Sequence, residues 1–222
     1  KGGPTEIHSF LLQNQEYRMM FADAVYRHFF NDGVFTPASL EESFLYRKNE
    51  IESAVILESA RWGDFLESSA KVTYTKYDHW VPEVSKVLSE YIPKRRDIVL
   101  GQLRGVSPKL FPTYMPPVFR VEEQTSGLQK KIELVNPNSA EGDIYYTLDG
   151  TDPRAVGGVV KGLKYTKAIE IENSTIIKAR FLTRGLQEWS ALAEKLVVFE
   201  AVYGKEVVIN EILYHPENDK PE

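Results

Sequence analysis

The feature that most constrains this chain is a change of apolar rhythm part-way along it. Up to about residue 105 the large apolar residues recur at the 3.6-residue spacing of helices, and beyond residue 117 they recur in short runs at the two-residue spacing of strands. Between the two lies Val106 to Pro117, which holds Pro108, Pro112, Pro116 and Pro117. Proline lacks the amide donor that a helix interior or a central strand needs, so neither element is expected to run through this stretch. The expected fold class is therefore multi-domain α and β. An all-α helical segment occupies 1–107, a Pro-rich linker 108–117 and an antiparallel β-sandwich 118–203. Residues 204–222 supply either an extra edge strand or the start of a further domain. The linker is expected to be extended and stiff, and so to act as a spacer.

In the first part, Asn14 is a suitable N-cap with Glu16 in the first turn, followed by the apolar series Tyr17, Met20, Phe21, Ala24, Val25 and Phe29. Gly33 is expected to end that helix with a positive φ. Thr36 and Pro37 are a cap and first helical residue for a second helix. Its stripe Leu40, Phe44, Ile51, Val55 and Trp62 runs about 40 Å to Gly63. Arg47 and Glu58 fall on or beside that stripe and are expected to pair with a neighbouring helix or lie at its edge. Val72–Thr75 reads as loop. Asp78 can cap a third helix with Trp80, Val84, Val87, Leu88 and Tyr91. Pro93 predicts a break, and a fourth helix with Ile98, Val99 and Leu103 ends at Gly105.

In the second part, runs at Val118–Val121, Lys131–Val135, Asp143–Leu148, Ala168–Ile171, Thr175–Leu182 and Ala193–Phe199 alternate with turn signals. Six or seven short strands at this spacing predict two packed sheets, because one open sheet would leave an apolar face wet. Val207–Tyr214 is strand-like as well.

The chain has 222 residues, no cysteine and a net charge of −5. Cysteine chemistry is thus excluded. Residues 1–110 carry 14 basic and 15 acidic side chains, and the remainder 13 and 17. Neither half has the basic excess of a nucleic-acid binder. No apolar run is long enough to span a bilayer. His8, His28, His79 and His215 are scattered without metal-site spacing, and His28 reads as a partly buried structural residue. No phosphate-binding glycine loop or Ser/His/Asp arrangement is visible. No catalytic residue, cofactor or metal is expected.

Two clusters stand out. Glu58, Arg61, Trp62, Gly63 and Asp64 form a polar–aromatic helix end. Trp62 is expected to anchor the core, Gly63 to stop the helix, and Arg61 and Asp64 to tie down the loop behind it. Tyr145-Tyr146-Thr147-Leu148-Asp149-Gly150-Thr151-Asp152-Pro153-Arg154 is a strand running into two turns. Asp149 can accept amides beyond it, Gly150 can take positive φ, and Asp152-Pro153 opens the second turn. The loop lacks the further oxygen ligands that calcium requires. Trp189, Tyr145 or Tyr146, and Tyr165 are candidates for a surface that stacks on a carbohydrate, with Tyr146 and Trp189 the preferred pair; alternation lets only one of the two adjacent tyrosines point inward.

Phe10 to Pro112 resembles the C-terminal helical end of spore coat protein H (CotH)-like kinases. The likeness rests on Asn14-Gln15-Glu16-Tyr17-Arg18, Leu40-Glu41-Glu42, Glu58 to Asp64, Trp80, Arg96 and Gln102-Leu103-Arg104. Gly142 to Phe199 resembles the β-sandwich at the C-terminus of chitobiases and in fibronectin-type-III-associated modules, an immunoglobulin/fibronectin-like fold. Its carriers are the Tyr145–Arg154 hairpin and the Thr175–Arg180 strand. Val207 to Pro216 is similar to the first strand of a lamin-tail-like domain. The resemblance implies an exported bacterial protein of the extracellular space or cell envelope. It also implies that the nucleotide-binding lysine and the catalytic and metal-binding acids of the kinase family lie upstream, so this fragment is expected not to be an enzyme. Its expected role is structural: helices that buttress an upstream kinase-like domain, and a sandwich that acts as spacer or interaction module. The expected partners are the neighbouring domains of the same protein, with a polysaccharide or a surface protein also considered. The alternative role is carbohydrate or cell-wall binding by the sandwich.

Overall fold

A side-chain cap opens the first long helix. Asn14 Oδ1 accepts the amides of Glu16 and Tyr17 at 2.8 and 3.2 Å, satisfying donors that a helix start leaves free. The computed structural model describes residues 6–65, 72–123, 129–185 and 187–199. The helices are α1 (Glu6–Leu11), α2 (Gln15–Phe29), α3 (Pro37–Ile51), α4 (Ala54–Trp62), α5 (Val81–Lys86) and α6 (Ile92–Gly105). π-Helical turns at Lys76–Trp80 and Val87–Tyr91 lead into α5 and α6. The strands are β1 (Val118–Glu123), β2 (Lys130–Val135), β3 (Gly142–Thr147), β4 (Leu163–Lys164), β5 (Ile169–Ile171), β6 (Thr175–Thr183) and β7 (Ala193–Val197). The α-then-β fold class is as the rhythm predicts. Val207–Tyr214 and His215 lie outside the described residues.

Several helix boundaries obey different physics from that expected. After α2 the positive φ, 53°, belongs to Asn31 and not to Gly33. Gly33 is needed for closeness instead: a Cβ there would sit 2.3 Å from the His28 carbonyl oxygen. Thr36 caps α3 by accepting the Ser39 amide, and Pro37 follows at the helix start. The predicted 40 Å helix is two helices, because the hydrogen-bond ladder slips at Glu52 and Ser53 although both keep right-handed helical angles. Thr75, rather than Asp78, caps the next helical run.

Pro93 does not break the chain's course. Ile92 donates five residues back to Val87, and Val81 likewise to Lys76, one residue ahead of Pro93 and Pro82 respectively. A π turn widens the coil where proline would otherwise strike the preceding carbonyl and leave it without its donor.

The strands form two antiparallel sheets, β1-β2-β5 and β4-β3-β6-β7. Strand β4 is a two-residue pairing of Leu163 and Lys164 with β3, too short to show alternation in the sequence. Ile132, Leu134, Ile144, Ile169, Ile171, Ile177, Ala179, Phe181 and Val197 form the core between the sheets. Strand β6 departs from half-buried alternation, since Ala179 to Thr183 is buried without interruption. A strand buried on both faces needs cover on both. The second cover is α2, whose Ala22, Val25 and Tyr26 join Leu100, Phe111, Ala191 and Ala193 in a second core.

The proline-rich stretch is part of that second core, which corrects its reading as a spacer. Phe111 is 0 % exposed, and Pro116 and Pro117 are fully buried. Polar contacts fasten the stretch from both sides. Leu110 donates to the Leu103 carbonyl at 2.9 Å, Arg104 Nε donates to the Pro112 carbonyl at 3.1 Å, and the Thr113 amide donates to Glu188 at 2.8 Å. Met115 and Asn138 exchange two hydrogen bonds. Prolines suit this role because they have fewer amides to satisfy on burial.

Candidate functional site at the helix–sandwich junction

Helix α2 presents a mixed face to the sandwich. Glu16, Met19, Asp23 and Tyr26 recur at three- and four-residue spacing and so share one side of the helix. Opposite them stand Arg180, on the side of β6 facing away from the sandwich core, and Arg154, from the turn after β3.

The Arg180 side chain is 1 % exposed. Its Nε and Nη2 donate to the two oxygens of Asp152 at 2.8 and 2.6 Å. Its Nη1 and Nη2 donate to the two oxygens of Asp23 at 2.8 and 2.6 Å. Nη1 also donates to the Ser190 carbonyl at 3.0 Å and meets the Met19 sulfur at 3.2 Å. All five guanidinium protons therefore have oxygen acceptors, and the planar fork binds two carboxylates bidentately. Burial would depress the ionisation of Arg180, but the bonds to Asp152 and Asp23 outweigh it and raise its pKa. Burial likewise opposes charge on Asp152, yet its bonds to Arg180 hold its pKa below the usual value.

Arg154 makes a second link. Its Nη1 and Nη2 donate to Glu16 at 2.7 and 2.8 Å, and the Gly157 amide donates to the same carboxylate at 3.0 Å. The bonds from Arg154 lower the pKa of Glu16 from 4.5 to about 2. The buried Arg154 Nε has no acceptor among the described residues, so this link is less complete than that of Arg180. The two links share structure, because Asp152 Oδ1 accepts the Arg154 amide at 2.9 Å. The Asp23 carboxylate also accepts the Leu192 amide at 2.8 Å.

The turn motif thus contributes more than turns. Asp149 Oδ1 accepts the Thr151 amide and hydroxyl at 3.0 and 2.7 Å, and Gly150 has φ +75°. Pro153 is fully buried between the two turns. Asp152 and Arg154 are parts of the junction, a role the turn chemistry did not reveal. Glu16, Asp23 and Arg180 were also missed as a group. Their signals were an arginine within the strand segment Ile176–Leu182, which carries one other cation, Lys178, and acids spaced along the α2 face toward it.

The other candidate residues are placed differently. Trp189 is 4 % exposed, stands 5.8 Å from Tyr145 between ring centroids and donates its indole N–H to the Gly158 carbonyl at 2.9 Å. Tyr146 points to the opposite side, onto the sandwich core, 6.3 Å from Tyr165. Of the candidate tyrosines it is Tyr145, not Tyr146 or Tyr165, that meets Trp189, and Trp189 is packed inward there instead of being offered to a ligand. Adjacent strand residues face opposite ways, and Trp189 is consumed by packing. Trp62, at 41 % exposure, does not anchor the core; it carries the Arg61 guanidinium over its ring at 4.8 Å. Gly63 accepts the Tyr74 amide at 2.8 Å, and a Cβ on Gly63 would lie 2.5 Å from the Tyr74 carbonyl oxygen. Glu58 and Asp64 are exposed, and neither has an ion pair among the described residues. Arg47 bonds Glu50 on its own helix at 2.6 Å, and His28 is exposed beside Phe35.

Among the described residues no group of three or more His, Asp or Glu is placed to hold a metal ion. No helix among them is long and apolar enough to cross a membrane. Residues 132–193 match the family model described as Fn3 associated. The sandwich is thus similar to fibronectin-type-III-associated modules, an accessory kind of β-domain. No curated protein matches the chain.

Proposed function

We propose that this chain is a non-catalytic accessory part of a larger exported bacterial protein, in which the sandwich holds a helical segment in fixed orientation. The observation that carries this reading is Arg180, buried in β6 and clamped to Asp23 of α2. A junction with paired buried charges and a shared apolar core transmits position as a rigid body, unlike a tethered pair of domains.

The helices then buttress a kinase-like domain that precedes them. Two things support this: the likeness to the end of spore-coat-protein-H-like kinases, and the apolar surface the helices leave uncovered. Helices α1, α3 and α4 contain no buried residue, and Phe10, Leu57 and Phe65 are 73, 73 and 69 % exposed. Placement outside the cell or in the envelope rests on the same likeness.

The test mixes this chain with the separately produced preceding region of the same protein and measures association by calorimetry. Association that weakens at least tenfold with Phe10→Asp and Leu57→Asp is expected, because the apolar contacts would be lost. A thermal-shift screen with ATP and magnesium should leave this chain's Tm unchanged. A rise of several degrees would mean a nucleotide site here and end the non-catalytic reading.

A further inference from the structure

We propose that the groove between α4 and the helical run starting at Lys76 binds a short peptide segment that is both apolar and basic. The site lies outside the junction and does not depend on the buttress reading. The groove measures about 650 Å³, within the range of small-ligand and peptide sites. Val55, Trp62, Tyr74, Trp80 and Pro82 make its walls. Trp62 and Tyr74 are each 41 % exposed, a large aromatic surface to leave in water.

Charge decides the occupant. Glu58, Asp78 and Glu83 stand on the groove with one lysine, Lys86, and one histidine, His79, whose Nδ1 accepts the Thr75 amide. Glu83 and Lys86 neutralise each other at 2.5 Å. Asp78 has one side-chain partner, the neutral Thr75 hydroxyl at 2.8 Å, and Glu58 has no ion pair among the described residues. The other cations near the walls are already engaged: Lys48 and Lys76 both bond Glu52 and lie over the Trp80 ring at 5.8 and 6.0 Å, and Arg61 lies over the Trp62 ring at 4.8 Å. Two uncompensated carboxylates over aromatic walls favour a ligand with apolar side chains and a lysine or arginine between them. An acidic ligand would be repelled. A neutral apolar ligand would leave the carboxylates partly stripped of water with nothing in exchange.

The test uses three synthetic peptides: acetyl-Leu-Lys-Leu-Arg-Leu-amide, its Gln/Gln counterpart and its Glu/Glu counterpart. The chain has three tryptophans, so its indole N–H resonances map the site. The basic peptide should move the Trp62 and Trp80 signals and leave that of buried Trp189. The neutral peptide should bind at least about fivefold more weakly, and the acidic one not measurably. Replacing both carboxylates, Glu58→Gln with Asp78→Asn, should weaken the basic peptide about tenfold and abolish its preference over the neutral one. An unchanged Trp189 resonance certifies that the double variant is folded. Equal binding of basic and neutral peptides overturns the proposal, as does binding that survives the double variant, a shift confined to Trp189, or no shift at millimolar basic peptide.

Discussion

Helices α2 and α4 make an instructive pair. Helix α4 has the more apolar sequence, Ala54-Val55-Ile56-Leu57 at its start, yet contains no buried residue. Helix α2 carries Glu16, Asp23 and two arginines, yet buries Ala22, Val25 and Tyr26. Hydrophobicity alone therefore does not select the helix that docks. The surface offered matters as well: β6 presents an arginine flanked by apolar neighbours, and α2 sets Asp23 against it. Buried ion pairs add little net stability over apolar contacts, but a mismatched partner is heavily penalised. The clamp thus specifies which face docks more than it strengthens the docking.

The contrast predicts a graded set of outcomes. The largest follows Arg180→Leu, which leaves the partly buried Asp23 and Asp152 without their cation. Urea unfolding should show a loss of about 3–5 kcal/mol. A loss below about 1 kcal/mol would mean that the clamp is incidental. Phe111→Ala empties the centre of the shared core and should cost about 3–4 kcal/mol by the same measurement. If it costs no more than a surface change, the proline-rich stretch is a linker after all.

Glu16→Gln should cost about 1–2 kcal/mol at neutral pH, discounted for the partial solvent contact of this carboxylate. The pH dependence has a definite sign. Glu16 has a folded pKa of about 2 against 4.5 for the free group, so the unfolded chain takes up its proton first. Its contribution is complete above about pH 5 and is lost as pH falls toward 2. Acid titration of stability should therefore be shallower in Glu16→Gln than in the parent over that window. The smallest effect belongs to the other helix. Leu57→Ser on α4, at a residue 73 % exposed, should change stability by no more than about 0.5 kcal/mol. A large loss there would erase the distinction between the two helices.

Much of this organisation was legible in the residues. The caps Asn14 and Thr36, the Asp149-Gly150 turn and most strands follow from local chemistry, which acts within a few positions along the chain. The apolar stripes were less reliable. On α2 the buried residues are Ala22, Val25 and Tyr26, while Met20 is 70 % exposed. On α6 they are Ile92 and Leu100, while Ile98 is 48 % exposed. In both helices a charged side chain lies within the inward face, Asp23 on α2 and Arg96, over the Phe30 ring at 5.2 Å, on α6. A periodicity search counts such residues as solvent-facing and rotates the stripe away from them.

By itself the sequence determined the class of each half, the place where helix gives way to strand, and the turn that launches the second half of the sandwich. These depend on backbone donors, glycine and proline geometry and side-chain spacing, all local properties. Only the tertiary structure decided that the halves are joined through a buried core. It also decided that Arg180 meets Asp23 across 157 positions of chain, and that Trp189 packs inward while Trp62 stays in reach of solvent. A buried charge is tolerable only beside its counter-charge, and where that partner stands is a property of the folded chain, invisible in the order of its residues.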